Sequence, residues 1–179
     1  MSQNRRAEAI APFCEAAKIY RQSVVERPAD LPAYIGSLYM LSNLYISVGD
    51  YRASYESYQE LLPLMKAEYE TSPEAWRKGY SGSLANQSSL AIMQLHYAEA
   101  EQLAREALTV GHTRHVVNTN IAAALLFQGR YEEAEHLYRQ YKDEMKDTFL
   151  EDFRQFGEAG AIPEERKGDV ERIKGMLNE

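Results

Sequence analysis

Residues 131–139 read Tyr-Glu-Glu-Ala-Glu-His-Leu-Tyr-Arg, and residues 97–105 read Tyr-Ala-Glu-Ala-Glu-Gln-Leu-Ala-Arg. Tyr97, Glu99, Ala100, Glu101, Leu103 and Arg105 return as Tyr131, Glu133, Ala134, Glu135, Leu137 and Arg139, at a constant offset of 34. A period of that size belongs to a recurring helical hairpin. One such hairpin cannot bury its apolar face alone, so copies stack into an open array that offers a binding surface.

Working outward, the best-defined repeat spans residues 115–147. His115 to Gln128 reads as a first helix rich in small and apolar residues, Gly129-Arg130 as a turn, and Tyr131 to about Lys142 as a second helix. The preceding copy takes residues 80–114, with Ser88 and Ala91 where the later one has Ala122 and Leu125. Small residues there let paired helices approach closely. Upstream, within residues 31–79, Gly49, Tyr51, Ser54, Tyr58 and Leu61 repeat the turn and second helix. Tyr51 and Tyr97 are 46 apart, twelve beyond the period, and the excess lies around Leu62 to Arg77. Pro63 and Pro73 should each kink a helix or open a new one, so the helices at this junction are expected to be lengthened.

The two ends differ from the middle. Phe13, Glu15, Ala16, Tyr20 and Val24, ending at Pro28, make residues 1–30 a second helix with no first helix before it. In residues 148–179, Phe149, Leu150, Phe153 and Phe156 share one helical face. After a break at Gly157 to Pro163, Val170, Ile173 and Leu177 form another stripe, which predicts a capping helix pair. The whole reads as one all-α domain.

Composition narrows the function classes. Cys14 is the one cysteine, so there is no disulfide framework, and no stretch has the unbroken apolar length of a membrane span. Met1 to Arg6 is polar and leads into a mixed helix, unlike a secretion signal. The expectation is a soluble, cytoplasmic protein. A net charge of −7 argues against nucleic acid and anionic membrane as partners, because phosphate binding needs clustered Lys and Arg.

These residues resemble the tetratricopeptide repeat (TPR). The family's second helix carries an aromatic after the turn, then a small residue, then an aromatic or small residue one turn on. Tyr131, Ala134 and Tyr138 match it, as do Tyr97, Ala100 and Ala104, Tyr51, Ser54 and Tyr58, and Phe13, Ala16 and Tyr20. The turn glycine stands at Gly49 and Gly129 but is Leu95 in the middle copy, and the closing proline survives only at Pro28. Where the family places a bulky aromatic early in the first helix, this chain has Leu38, Leu84 and Asn118, so the repeats are degenerate. The resemblance covers residues 10–147. It implies a right-handed superhelix of antiparallel helix pairs, closed by the C-terminal capping pair, and a role in holding other proteins.

Charge is segregated by helix. Residues 31–49, 79–98 and 115–129 contain no Asp, Glu, Lys or Arg, while the second helices are dense in them. First helices line the concave face in TPR domains, so the resemblance implies a groove without fixed charge. Burial of the first helices would exclude charge equally well. Mapping the family's inward-facing sites onto this chain gives a candidate peptide-binding set of Tyr39, Asn43, Asn86, Ser89, Met93, Asn120 and Phe127. Asn86 and Asn120 are one period apart, and paired amides can grip an extended backbone as donor and acceptor, or else cap a neighbouring helix.

The resemblance does not extend to the carboxylate clamp of chaperone adaptors. Asn43 and Asn86 match its amide places, but its cationic places hold uncharged residues such as Tyr39, Gly82, Val116 and Thr119. An uncharged or amphipathic peptide or helix is the expected ligand.

Nothing in the sequence points to catalysis. His112, His115 and His136 lack companion ligands at metal-site spacing, Cys14 sits beside Phe13 on an apolar face, and Gly79, Gly82 and Gly111 stand singly. No enzyme activity, catalytic residue, metal or cofactor is expected. Two functions stay open: an interaction adaptor or scaffold with a protein or peptide partner, and a self-assembly or regulatory module. The second would be a homodimer or a segment of a larger TPR protein, joined through the orphan N-terminal helix.

Overall fold

The computed structural model describes the backbone of residues 3–111 and 114–179, and side chains of residues 8–111 and 117–179. Among the described residues there are eight α-helices, two short 3-10 helices and no strand. The helices are α1 (Gln3–Glu26), α2 (Leu31–Val48), α3 (Tyr51–Thr71), α4 (Pro73–Met93), α5 (Tyr97–Val110), α6 (Arg114–Phe127), α7 (Tyr131–Glu158) and α8 (Lys167–Asn178). The chain divides into two compact units, Met1–Tyr80 and Ser81–Glu179.

In the first unit α1 and α3 both pack on α2. The turn before α3 is capped by Asp50, whose carboxylate accepts from the Ala53 N–H at 3.0 Å. Ser54 and Tyr58, the small and aromatic positions of the signature, are fully buried along with Leu61. Ser54 Oγ also donates to the Ser42 carbonyl of α2 at 3.0 Å, a bond that requires the close helix approach its small side chain allows. Pro73 opens α4, and Pro63 lies inside α3. α3 and α4 run 21 residues each, against 14 in α5 and α6, and this is where the extra length near the two prolines goes.

In the second unit α5, α6 and α7 pack in succession and α8 lies on α7. Ala100, Ala104, Ala134 and Tyr138 are fully buried, and Ser88 Oγ donates to the Ala100 carbonyl at 2.8 Å, the mirror of the Ser54–Ser42 bond. The α2–α3, α4–α5 and α6–α7 turns share one hydrogen-bond pattern: Gly49 and Asp50 donate to Ile46 and Tyr45, Leu95 and His96 to Ile92 and Ala91, Gly129 and Arg130 to Leu126 and Leu125. Each has its first residue in the left-handed region, at φ 82°, 65° and 81°. Leu95 therefore keeps the glycine's conformation without being glycine.

α7 carries the least expected geometry. In a straight helix eleven residues rise about 16 Å, yet the Tyr138 and Phe149 rings lie 4.7 Å apart and those of Tyr138 and Phe153 5.5 Å apart. The segment therefore folds back on itself between these residues, and its two arms pack as separate helices. The arm carrying Phe149, Phe153 and Phe156 buries those three rings inside the second unit. α8 adds Val170, Ile173 and Leu177 to this core, and Lys142 Nζ donates to the Met176 carbonyl at 2.8 Å. Among the described residues this helical, strand-free architecture is the all-α repeat arrangement that the 34-residue period predicts.

Candidate functional site

The charge-free helices differ in what they expose. On α6 every residue from Val117 to Phe127 is buried, so burial accounts for its lack of charge. On α2 it does not: Pro32, Ala33, Gly36, Tyr39 and Met40 are exposed, following one face of the helix. Tyr39 is 39% and Met40 45% exposed. The opposite face, with Tyr34, Ile35, Leu38 and Leu41, is buried in the first unit. On α4, Gly82, Asn86, Ser89 and Met93 form a half-buried stripe at helical spacing, between fully buried neighbours.

Each anticipated site residue has a definite place. Asn43 donates Nδ2 back to the Tyr39 carbonyl at 2.9 Å, within its own helix. Asn86, Ser89 and Met93 stand on the half-buried stripe of α4. Asn120 is only 5% exposed and donates Nδ2 to the Ala85 carbonyl of α4 at 3.1 Å, so its amide bonds one helix to the next. Phe127 is also buried, edge-on to Tyr97 at 5.5 Å and to Phe156 at 5.9 Å. Both are enclosed in a part of the unit to which the returning arm of α7 contributes: Phe156 meets Phe127, and Thr119 hydrogen-bonds Asp152. Tyr97 reaches past this cluster to donate its hydroxyl to the Ala161 carbonyl at 3.0 Å.

Two features were not anticipated. Met40 completes the exposed apolar pair on α2; the absence of charge around Tyr39 was its signal. Asp152 sits among Phe149, Phe153 and Phe156, half-buried, with Oδ2 unpaired. Burial pushes its carboxyl up to about 6, opposed by the Thr119 hydroxyl and reinforced by the Glu151 charge. Its signal in the sequence is a carboxylate interrupting the aromatic stripe of Phe149, Phe153 and Phe156.

The charged helices are tied down by ion pairs. Glu101 meets Arg105 at 2.8 Å and Arg130 at 2.7 Å, and Arg130 also holds Glu133 at 2.6 Å. Burial would raise the Glu101 carboxyl, but hydrogen bonds from Gln128 and Arg105 and the charges of Arg105 and Arg130 outweigh it and hold it low. In the first unit Arg21 pairs with Glu60 at 2.7 Å, and Glu60 accepts from the Tyr34 hydroxyl. Burial and that carboxylate push Tyr34 up to about 12. Cys14 is half-buried, its Sγ 3.4 Å from the Tyr45 hydroxyl. Among the described residues no three His, Cys, Asp or Glu gather as metal ligands; His112 and the His115 side chain lie outside them. No helix among the described residues is long and apolar enough to cross a membrane.

An all-helical array with a repeating close-packed signature and an exposed uncharged face is the architecture of a protein-interaction repeat module. Residues 119–140, across the α6–α7 turn, match the family model described as Tetratricopeptide repeat. The crystal structure of BtubC (BKLC) from P. vanneervenii is similar in fold, with a TM-score of 0.52 at 14% identity, covering 99% of this chain and 74% of that one. None of the curated proteins compared with the chain matches it in sequence.

Proposed function

We propose that this protein is an interaction adaptor that holds an uncharged or amphipathic segment of a partner protein on its charge-free helices. The observation that carries the reading is the exposed face of α2, where Tyr39 and Met40 stand free of any charged neighbour on that helix. An aromatic–methionine pair supplies adaptable apolar contact, and the tyrosine hydroxyl adds a polar handle. Asn86, Ser89 and Met93 offer a second uncharged stripe on α4 in the second unit. Asn120 and Phe127 contribute from inside, by fixing α6 beneath that unit's surface. The test replaces Tyr39 and Met40 with Asp and, separately, installs the photo-crosslinker p-benzoylphenylalanine at position 39. Specific crosslinks from native lysate at position 39, lost with Met40→Asp while helicity is kept, support the adaptor. Unchanged capture by the Asp double variant overturns it.

A second reading, self-assembly, is favoured by α1, whose Ile19 and Val25 are 56% and 81% exposed. It requires a molecular mass that rises with concentration and returns to monomer in Ile19→Lys/Val25→Lys. A monomer at all concentrations removes it.

A further inference from the structure

A cleft of about 440 Å³ opens between α5 and α7, within the size range of ligand pockets. Asn118, Ile121 and Leu125 of α6 line it, between Leu108 of α5 and Leu137 of α7. Asn118 is 5% exposed, and its Nδ2 has no hydrogen-bond partner. A buried donor left without an acceptor is costly, and such groups in native proteins call for an explanation. Packing does not supply one, because the same register place in the earlier repeats holds Leu84 and Leu38, both buried. A leucine would suit Ile121, Leu125, Leu108 and Leu137 better than an amide does.

The rim adds charge selectivity. Arg105 is already paired with Glu101, and Glu133 with Arg130, at 2.8 and 2.6 Å. Glu132 stands exposed at the α7 edge of the cleft and gives the mouth a negative bias. We propose that this cleft binds a peptide segment of a partner protein. The segment buries one apolar side chain against Ile121 and Leu125, places a backbone carbonyl on Asn118 Nδ2, and carries a basic residue beside Glu132. The site goes beyond the α2 surface described above: it lies in the second unit, and Asn118 and Asn120 project from roughly opposite sides of α6.

The experiment titrates the isotopically labelled full chain with two probes, N-acetyl-Lys-Leu-N-methylamide and N-acetyl-Glu-Leu-N-methylamide, and follows amide and methyl resonances. Expected are saturable shifts of the Asn118 side-chain amide and the Ile121 and Leu125 methyls, with the Lys probe binding about fivefold tighter. Asn118→Leu should abolish these shifts and leave the melting temperature equal or higher. His136→Trp, a change at an exposed position beside the mouth, should abolish them without touching the core. No saturable shift at the cleft, or shifts unaltered in both variants, overturns the proposal. Shifts confined to Tyr39 and Met40 also overturn it, and leave the α2 reading standing.

Discussion

Leu95 shows what a single residue costs when the fold dictates its backbone. It occupies φ 65° in a turn whose counterparts are Gly49 and Gly129, and it is 55% exposed, so its side chain gains little from packing. Left-handed backbone costs an L-residue about 1–2 kcal/mol, part of which glycine gives back as unfolded-state entropy. Leu95→Gly should therefore stabilise the protein by about 0.5–1 kcal/mol, read as a higher midpoint in urea with unchanged slope. The reverse holds at Gly129, where an added Cβ would stand 2.6 Å from the Arg166 guanidinium. Asp152 gives the residue-scale pH dependence. Its folded carboxyl titrates near 6 against an ordinary value of 3.8, so the folded state holds the proton more tightly. The stabilisation is fully present below about pH 4 and is lost as pH rises through 6. Asp152→Asn keeps an oxygen for the Thr119 hydroxyl and removes the titration. It should be more stable than wild type at pH 7.5, by on the order of 2 kcal/mol, and close to it at pH 4. Urea unfolding at the two pH values checks this, and an equal difference at both would mean that Asp152 is already neutral or well solvated.

At the scale of the element, α7 decides what the second unit can expose. The 4.7 Å contact between Tyr138 and Phe149 exists only because the segment reverses. A double-mutant cycle with Tyr138→Leu and Phe149→Leu should give a coupling of about 0.5–1.5 kcal/mol; in a straight helix it would be zero. This element also marks where the sequence was legible. Two aromatic-containing stripes, Tyr131 to Tyr138 and Phe149 to Phe156, could be read as separate helices from their spacing alone, because each repeats at helical period. The small-residue positions Ser54, Ala100 and Ala134 were equally plain, since a close helix crossing admits few side chains. The burial of Asn120 and Phe127 was not legible. It depends in part on where the returning arm docks, and Phe127 and Phe156 are 29 residues apart. No local pattern encodes a contact at that separation. Asn118 was visible as a departure from Leu38 and Leu84, but that an amide there would line an open cleft is a fact of packing.

At the scale of the whole molecule, the charge distribution separates the binding surfaces by their response to salt. The chain carries a net charge of −7, yet residues 31–49 contribute none of it. Ion pairs such as Arg52–Glu56, Glu101–Arg105 and Glu135–Arg139 lie on the helices that follow each charge-free stretch. A partner segment held on Tyr39 and Met40 meets apolar and amide groups, whose attraction does not depend on ionic screening. At 0.05 M salt the Debye length is about 14 Å and at 0.5 M about 4 Å, so a charge-steered complex weakens sharply across that range. Affinity at the α2 face should change by less than about twofold, whereas a basic peptide in the Asn118 cleft should weaken by about fivefold as the Glu132 contact is screened. Titration of crosslink-identified partner peptides at the two salt concentrations measures both. A steep salt dependence for the peptide crosslinked at position 39 would move the binding surface from the uncharged face of α2 to the charged helices, and the adaptor reading would have to be rebuilt on their ion pairs.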